Sequence, residues 1–300
     1  MQALDVLWGK SVPFQCHQAM NDSDCVLFLQ WALPRIGMRW TGFRRVRGQV
    51  RKRLDRRMRE LGLAGAAEYR VYLEANPDEW TVLEGICRIT ISRFYRDRAV
   101  FESLRRLVLP DLAAQAQATG RRSVRAWSVG CASGEEPYSV LIAWHYGAGP
   151  QFPEIELEVV GTDLDPALIE RARAGRYQRG SIRELLPEWI DTVFEERKGL
   201  FTIRPDFRRG LELLSQDVRQ TVPEGRFDLI LCRNLVLTYF DEVQQRSVLP
   251  KLIGRLFPSG AFVTGVHERL PEGWTGLKPW DNERAIYRSC RAAQGSHSST

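Results

Sequence analysis

The sequence has few cysteines and no cysteine pairs. Six of them (Cys16, Cys25, Cys87, Cys131, Cys232 and Cys290) stand singly in 300 residues, with no CxxC and no Cys/His cluster at zinc spacing. That excludes a disulfide scaffold and a zinc module, and it fits free, mostly buried thiols in a reducing cytoplasm. No metal is expected: the four histidines (His17, His145, His267 and His297) are isolated. His267, after an apolar strand, is expected to satisfy a local hydrogen bond rather than act as a base. No apolar run approaches the roughly 20 residues that span a bilayer. The longest, near residues 26–33, is interrupted by Gln30 and ended by Pro34. The N-terminus lacks a basic stretch followed by an apolar one, so no signal peptide is expected. The chain also lacks a GxGxxG fingerprint, the Lys-Ser/Thr of a phosphate-binding loop, and an Asn-Pro-Pro-Tyr block of the kind that serves a flipped base.

What is present is an ordinary globular composition, 44% hydrophobic and 27% charged, with a net charge of +6. The charge is unevenly distributed. Residues 35–59 hold eleven basic side chains and one acid, a local +10, which leaves −4 for the rest of the chain. A near-neutral protein therefore carries one very basic segment, and an acidic partner is to be sought there. Arginine far outnumbers lysine, a bias that a GC-rich genome alone can produce, which weakens any reading based on arginine counts.

The texture along the chain implies two domains. Residues 1–20 show no periodicity and are expected to form a loose arm, and 293–300 a disordered polar tail. Residues 21–92 have helical patterning, with a cap expected at Asp22-Ser23-Asp24. Val46, Val50, Leu54, Met58 and Leu61 form an apolar stripe at helical spacing with arginines on the other faces. Short helices are expected over 66–74 and 78–87. From 93 to 292 strands and helices alternate. Strands are expected at 124–129, 155–161, 227–232, 261–266 and 285–289, and helices at 137–146, 166–173 and 241–257. This alternation predicts an α/β fold, a mainly parallel sheet with helices on both faces. Two short strands, 200–204 and 211–214, are expected to pair as an antiparallel ribbon in a small β-subdomain over 198–214.

Four blocks carry chemistry. In Gly130-Cys131-Ala132-Ser133-Gly134-Glu135-Glu136-Pro137-Tyr138-Ser139 a strand turns through two glycines into a helix, which lets backbone approach a ligand closely. Glu135 and Glu136 stand where a phosphate would need positive potential, so a ligand bearing a cation, such as an α-amino group or a sulfonium, is favoured over a pyrophosphate. A plain glycine turn with acids at a helix start accounts for the block equally well on its own. In Thr162-Asp163-Leu164-Asp165 an acid at the end of the second strand is suited to ribose hydroxyls. Asp163 is the candidate there, and Asp165 the helix cap. Ser215-Gln216-Asp217-Val218 is a candidate for an adenine edge. Cys232-Arg233-Asn234 ends an apolar strand at the sheet edge where such folds bind ligands.

These blocks, in this order and together with Ser92-Arg93-Phe94-Tyr95-Arg96-Asp97 and Tyr239-Phe240-Asp241, resemble the CheR family of chemotaxis-receptor methyltransferases over about residues 22–289. The resemblance implies a Rossmann-like S-adenosylmethionine methyltransferase sheet behind a small helical domain. It implies methyl transfer from S-adenosylmethionine to receptor glutamates, with S-adenosylhomocysteine as product. By matching positions it implies Arg96 and Tyr239 at the active site. It implies cofactor contacts from Thr90, Ser92, Arg96, Glu136, Asp163, Asp217, Val218, Arg233 and Asn234, beside the Gly130, Gly134 and Glu135 of the turn. Thr90 replaces the family's usual Asn. The Asn234–Tyr239 stretch is one residue longer than usual, which puts the direction of Tyr239 in question.

The resemblance further implies that the helical domain docks on acidic receptor helices, with Arg44, Arg47, Arg51, Arg53 and Arg57 as the docking side chains. Nucleic acid is disfavoured as partner because aromatics are sparse in the basic stripe, and the protein is expected in the cytoplasm, not inserted in a membrane. The short segment after Phe194 and the lack of a glycine-rich loop imply no dependence on a C-terminal pentapeptide tether of the receptor. Two other readings stand beside this one: an RNA or small-molecule methyltransferase on the same fold, and a cofactor-binding signalling module with weakened catalysis.

Overall fold

The computed structural model describes residues 19–281 and 283–290. The expected tail, Cys16, His17, His297 and all but the end of the expected arm lie outside them. The arm's last residue within them, Met20, is buried, and its N–H donates to Asp55. The chain divides into two compact units between Ile89 and Thr90.

The first unit is helical. Its opening helix, Asp22–Ala32, is capped by Asn21, whose side chain accepts the Asp24 N–H, so the cap lies one residue ahead of the expected acids. The basic helix Arg47–Glu60 buries Val50, Leu54 and Met58, the middle of the expected stripe, and helices Ala66–Ala75 and Glu79–Cys87 add Tyr69, Leu73, Leu83 and Cys87. One polar contact is buried with this core. Glu79, 5% exposed, accepts two hydrogen bonds from the Arg57 guanidinium (2.9 and 2.7 Å) and one from the Tyr69 hydroxyl (2.8 Å).

The arginines expected to dock a partner are therefore not all turned outward. Arg57 is tied to Glu79, Arg47 pairs with Asp22 at 3.0 Å, and Arg53 donates to the carbonyls of Ile86 and Arg88. Their long stems cover the helix flanks while their heads close neighbouring segments. Arg51 is half-buried, and Arg44, Arg45, Lys52, Arg56 and Arg59 are exposed.

The second unit opens with a loop and then a helical stretch that the sequence reading omitted. Arg98–Ser103, a π-helical turn Leu104–Val108 and Leu109–Ala118 follow one another and bury Val100, Phe101, Leu104, Val108, Leu112 and Ala116. The stripe was legible, but Pro110 broke the pattern. The wider π turn accommodates a proline that cannot donate to the ladder.

Among the described residues ten strands follow: β1 Ser123–Val129, β2 Glu156–Asp163, β3 Arg176–Gln178, β4 Phe194–Arg197, β5 Leu200–Ile203, β6 Leu211–Ser215, β7 Phe227–Leu231, β8 Leu256–Val263, β9 Leu277–Pro279 and β10 Ile286–Ser289. Among the described residues the main sheet has seven strands in the order β6-β2-β1-β7-β8-β10-β9. The pairs from β6 to β8 are parallel, and β10 runs antiparallel to β8 and β9. β7 is buried throughout, as a central parallel strand covered on both faces must be.

The expected β-ribbon does not form. β5 pairs with β3 and β4 in a separate three-stranded antiparallel sheet, while β6 joins the main sheet beside β2. β6 pairs through Leu211 to Ser215 along the open edge of β2, a longer match than a short ribbon offers. Boundaries also shift. The helix after the glycine turn starts at Glu135 rather than 137, and the helix after Asp241 stops at Gly254 because β8 begins at Leu256.

Glu79 carries a stability prediction. The Arg57 guanidinium holds its carboxyl below the usual carboxylate range against the opposing effect of burial. Its contribution is thus present above about pH 4.3 and is lost as pH falls through the lower folded value. Glu79→Ala leaves Arg57 and the Tyr69 hydroxyl without their acceptor, and it should cost about 2–4 kcal/mol at pH 7. Urea unfolding followed by circular dichroism checks this, and the difference between the two proteins should shrink towards pH 3. An unchanged midpoint at pH 7 would count against the network.

Candidate active site

Strand order places the site. From β1 the chain builds outward through β2 to β6, then returns to the other side of β1 with β7 and β8. The order reverses between β1 and β7, and the carboxyl ends of these parallel strands meet at one edge there. This is the crevice where open α/β sheets bind ligands.

Gly130 stands at that crevice. It is left-handed (φ +70°), and a Cβ on it would lie 2.7 Å from a Leu235 methyl, so neither conformation nor space admits a side chain. Its N–H and that of Cys131 both donate to the Thr162 carbonyl (2.8 and 2.9 Å), and Ala132 N–H donates to the Asp163 carboxylate at 2.9 Å. The turn is thereby fixed to the end of β2. Gly134, also left-handed, is the N-cap of helix Glu135–His145.

The first two residues of that helix have different environments. Glu136 accepts the Ser128 hydroxyl at 2.7 Å and an Arg233 nitrogen at 3.0 Å. Glu135 is 4% exposed, and one of its carboxyl oxygens is buried without a hydrogen-bond partner. Burial pushes its carboxyl up, while backbone donors and hydrogen bonds from Ser92 and Ser133 oppose the shift. A buried acceptor of this kind at the end of β1 suits a ligand that brings a donor or a positive charge.

Arg233 ties three segments together. Its guanidinium is 2% exposed and pairs with Glu136 and, at 2.6 Å, with Asp97. The same nitrogen that meets Asp97 also donates to the Arg96 carbonyl at 2.8 Å, and the cation lies 5.3 Å from the centre of the Phe101 ring. Tyr95 and Asp97 on that loop are both left-handed without being glycine (φ 53° and 62°). Ser139 supports the loop from the helix: its hydroxyl accepts Tyr95 N–H and donates to the Glu135 carbonyl. The expected contact residue Arg233 is thus turned into the protein, where it shapes the loop that bears Arg96.

Arg96 itself is half-exposed and donates to the Ile91 carbonyl. It acts electrostatically on Tyr239. Burial pushes the Tyr239 phenol up, the Arg96 guanidinium pulls it back, and Glu268 pushes it up further. The Asn234–Tyr239 stretch places Tyr239 within electrostatic reach of Arg96. It consists of left-handed Asn234, Leu235 and a one-turn helix, Val236–Tyr239.

The remaining expected residues divide. Ser92 joins the site through Glu135, while Thr90 is exposed two residues earlier. Asp163 accepts the N–H groups of both Ala132 and Asp165, and Asp165 caps the next helix as expected. The β6 loop is brought to Asp163 by a hydrogen bond from Gln216 N–H to its carbonyl at 2.9 Å. Asp217 there is held by Arg219 in a two-pronged pair, and Val218 packs in the cluster around Trp127. An adenine edge would meet this loop through its backbone and through Gln216, whose side-chain oxygen is buried without a partner. Sequence reasoning missed Asp97, Ser128, Ser139 and Glu268. The first three lie inside or beside quoted motifs. Glu268 had no signal beyond adjacency to His267, which is exposed.

The donor set fits S-adenosylmethionine. Glu135, Glu136, Asp163 and Asp97 make this edge acidic, the glycine turn admits close approach, and buried acceptors on Glu135 and Gln216 await donors. Comparisons agree. Residues 90–284 match the family model of the CheR methyltransferase SAM binding domain, and residues 46–84 that of the CheR methyltransferase all-alpha domain. The chain is 31% identical over 228 residues to a probable chemotaxis protein methyltransferase of Rhizobium etli, covering 74% of this chain and 84% of that one. It is 31% identical to the chemotaxis protein methyltransferases of Salmonella typhimurium (75% of this chain, 76% of that one) and Escherichia coli (75% and 77%). Among solved structures, the glycopeptide N-methyltransferase MtfA complexed with S-adenosylmethionine overlaps 51% of this chain and 48% of that one at 14% identity. Its TM-score of 0.31 is too low to carry an argument. With its first unit matched by the family's all-alpha domain and its second by the family's SAM binding domain, the chain belongs to the CheR family of S-adenosylmethionine-dependent methyltransferases.

Proposed function

We propose that this protein methylates glutamate carboxylates of an acidic helical protein, a chemotaxis-type receptor or a related signalling protein. The observation that carries the reading is Arg96: a half-exposed cation on a clamped loop, within electrostatic reach of Tyr239, at an edge otherwise lined by carboxylates. Such a site suits one anionic acceptor brought to one cationic donor. S-adenosylmethionine, when bound, supplies a methyl group activated by its sulfonium.

The chain's own residues then have simple tasks. A substrate glutamate has an ordinary pKa near 4.3 and is already ionised at pH 7, so no general base is required. Arg96 draws the carboxylate in and orients it by charge-assisted hydrogen bonds. Tyr239 narrows the approach beside it and excludes water. Ser92, Glu135, Glu136, Asp163 and the 216–218 loop hold the donor, with Gly130 allowing close contact. Arg233 keeps the Arg96 loop in its left-handed form.

Docking on the acidic partner belongs, in this reading, to the outward cations of the first unit. Arg44 and Arg51 remain from the expected set, joined by Arg45, Lys52, Arg56 and Arg59. The β4–β5 turn is only two residues, Lys198-Gly199. With no glycine-rich loop there, no pentapeptide tether is proposed.

Three results are expected. With labelled S-adenosylmethionine and receptor cytoplasmic fragments, label enters protein as a base-labile ester; label in RNA, or none transferred, would overturn the reading. Arg96→Ala should lower kcat by about 10²-fold or more while S-adenosylhomocysteine affinity by calorimetry changes only a few-fold. Equal losses would instead assign Arg96 to cofactor binding. Lys52→Glu combined with Arg56→Glu should raise KM for the protein substrate several-fold at low salt, leave KM for S-adenosylmethionine unchanged, and lose its effect at high salt.

A further inference from the structure

Glu268 is a buried carboxylate outside every motif quoted above. It lies five residues past the end of β8 and is 8% exposed. One oxygen accepts the N–H groups of Asn234 (3.0 Å) and Gly265 (2.6 Å), and the other accepts the Thr238 hydroxyl (2.5 Å). Its own N–H returns to the Gly265 carbonyl at 2.9 Å. The fit leaves no slack, since a Cβ on Gly265 would lie 2.7 Å from the Asn234 side-chain nitrogen and 2.9 Å from the carboxylate.

These bonds span the stretch from Asn234 to Tyr239 that follows β7. Asn234, at its start, is left-handed (φ 53°), a conformation disfavoured for residues other than glycine. Thr238, near its end, precedes Tyr239, whose N–H donates to the Leu235 carbonyl at 2.8 Å. A short loop that starts from a disfavoured conformation has several ways to fold. A buried anion that must keep three donors selects the one that satisfies all of them.

We propose that Glu268 is a positioning residue of the methyl-transfer site: by holding Asn234 and Thr238 at once, it fixes where Tyr239 stands relative to Arg96. The proposal rests on the reading above for Tyr239 and Arg96. Arg96 and Glu268 are among the charged groups that act on Tyr239, and they oppose each other.

The test uses the full chain with Glu268→Gln and Glu268→Ala, with turnover counted per site that binds S-adenosylhomocysteine. The amide of Glu268→Gln still accepts both N–H groups, and the Thr238 hydroxyl can rotate to accept from its NH2. Its turnover should stay within a few-fold of the parent, with the Tyr239 phenol titrating at lower pH once the negative neighbour is gone. That titration is read by NMR of ring-labelled tyrosine, assigned with Tyr239→Phe. Glu268→Ala should lose about tenfold or more in kcat per binding site. Parental turnover per site in Glu268→Ala, or an unmoved Tyr239 titration in Glu268→Gln, would overturn the proposal. If the parent itself esterifies no protein, the carboxylate reading fails. The titration then decides for Glu268 alone, a moved value supporting it and an unmoved one overturning it.

Discussion

The crevice depends on a guanidinium that no longer touches water. Arg233 meets a carboxylate from the start of the 135–145 helix and another from the loop after Phe94, and it caps a backbone carbonyl on that loop. A buried cation is costly unless its partners are held in place, and here the partners come from two segments far from it in sequence. The ion pairs do more than close a salt bridge. They keep Tyr95 and Asp97 in left-handed backbone, which neither residue adopts readily, and so decide the direction in which Arg96 leaves the loop. Without Arg233, Glu136 and Asp97 would be two nearby anions with no counter-charge between them, and the loop would have little reason to stay.

A buried anion does similar work on the next residue. Arg233 and Asn234 are adjacent, yet one is fixed by an acid before β1 and an acid just after it, and the other by an acid from after β8. The end of β7 is thus held from both directions, and Arg96 and Tyr239, which interact electrostatically, each inherit their position from a buried ion.

Much of this was legible in the sequence, and the parts that were not have physical reasons. The turn after β1 was readable because Gly130 and Gly134 answer a local need for left-handed backbone, and Asp165 because a cap is a local hydrogen bond. The parallel sheet followed from the length and apolarity of 124–129 and 227–232. The helical stretch from Arg98 was hidden by Pro110, which reads as a breaker unless the wider turn before it is known. The partners of 200–203 were misassigned because strand pairing is decided by what lies opposite, and β2 offered 211–215 a longer edge than its neighbour did. Arg57 looked like a docking side chain because its charge is visible in the sequence, whereas the burial of Glu79 beneath it is not. Glu268 was unreadable for the same reason: nothing local distinguishes an acid that closes a loop from one that faces solvent.

The separate sheet has β5 in the middle between β3 and β4, so both outer strands present backbone groups that could pair with another chain. On β4 every residue after Phe194 is charged and exposed, Glu195, Glu196 and Arg197. An approaching strand would have to bring matching charges or strip water from three ionised side chains. Copies of the protein would therefore stay separate at this edge instead of zipping sheet to sheet, and each keeps its freedom to diffuse.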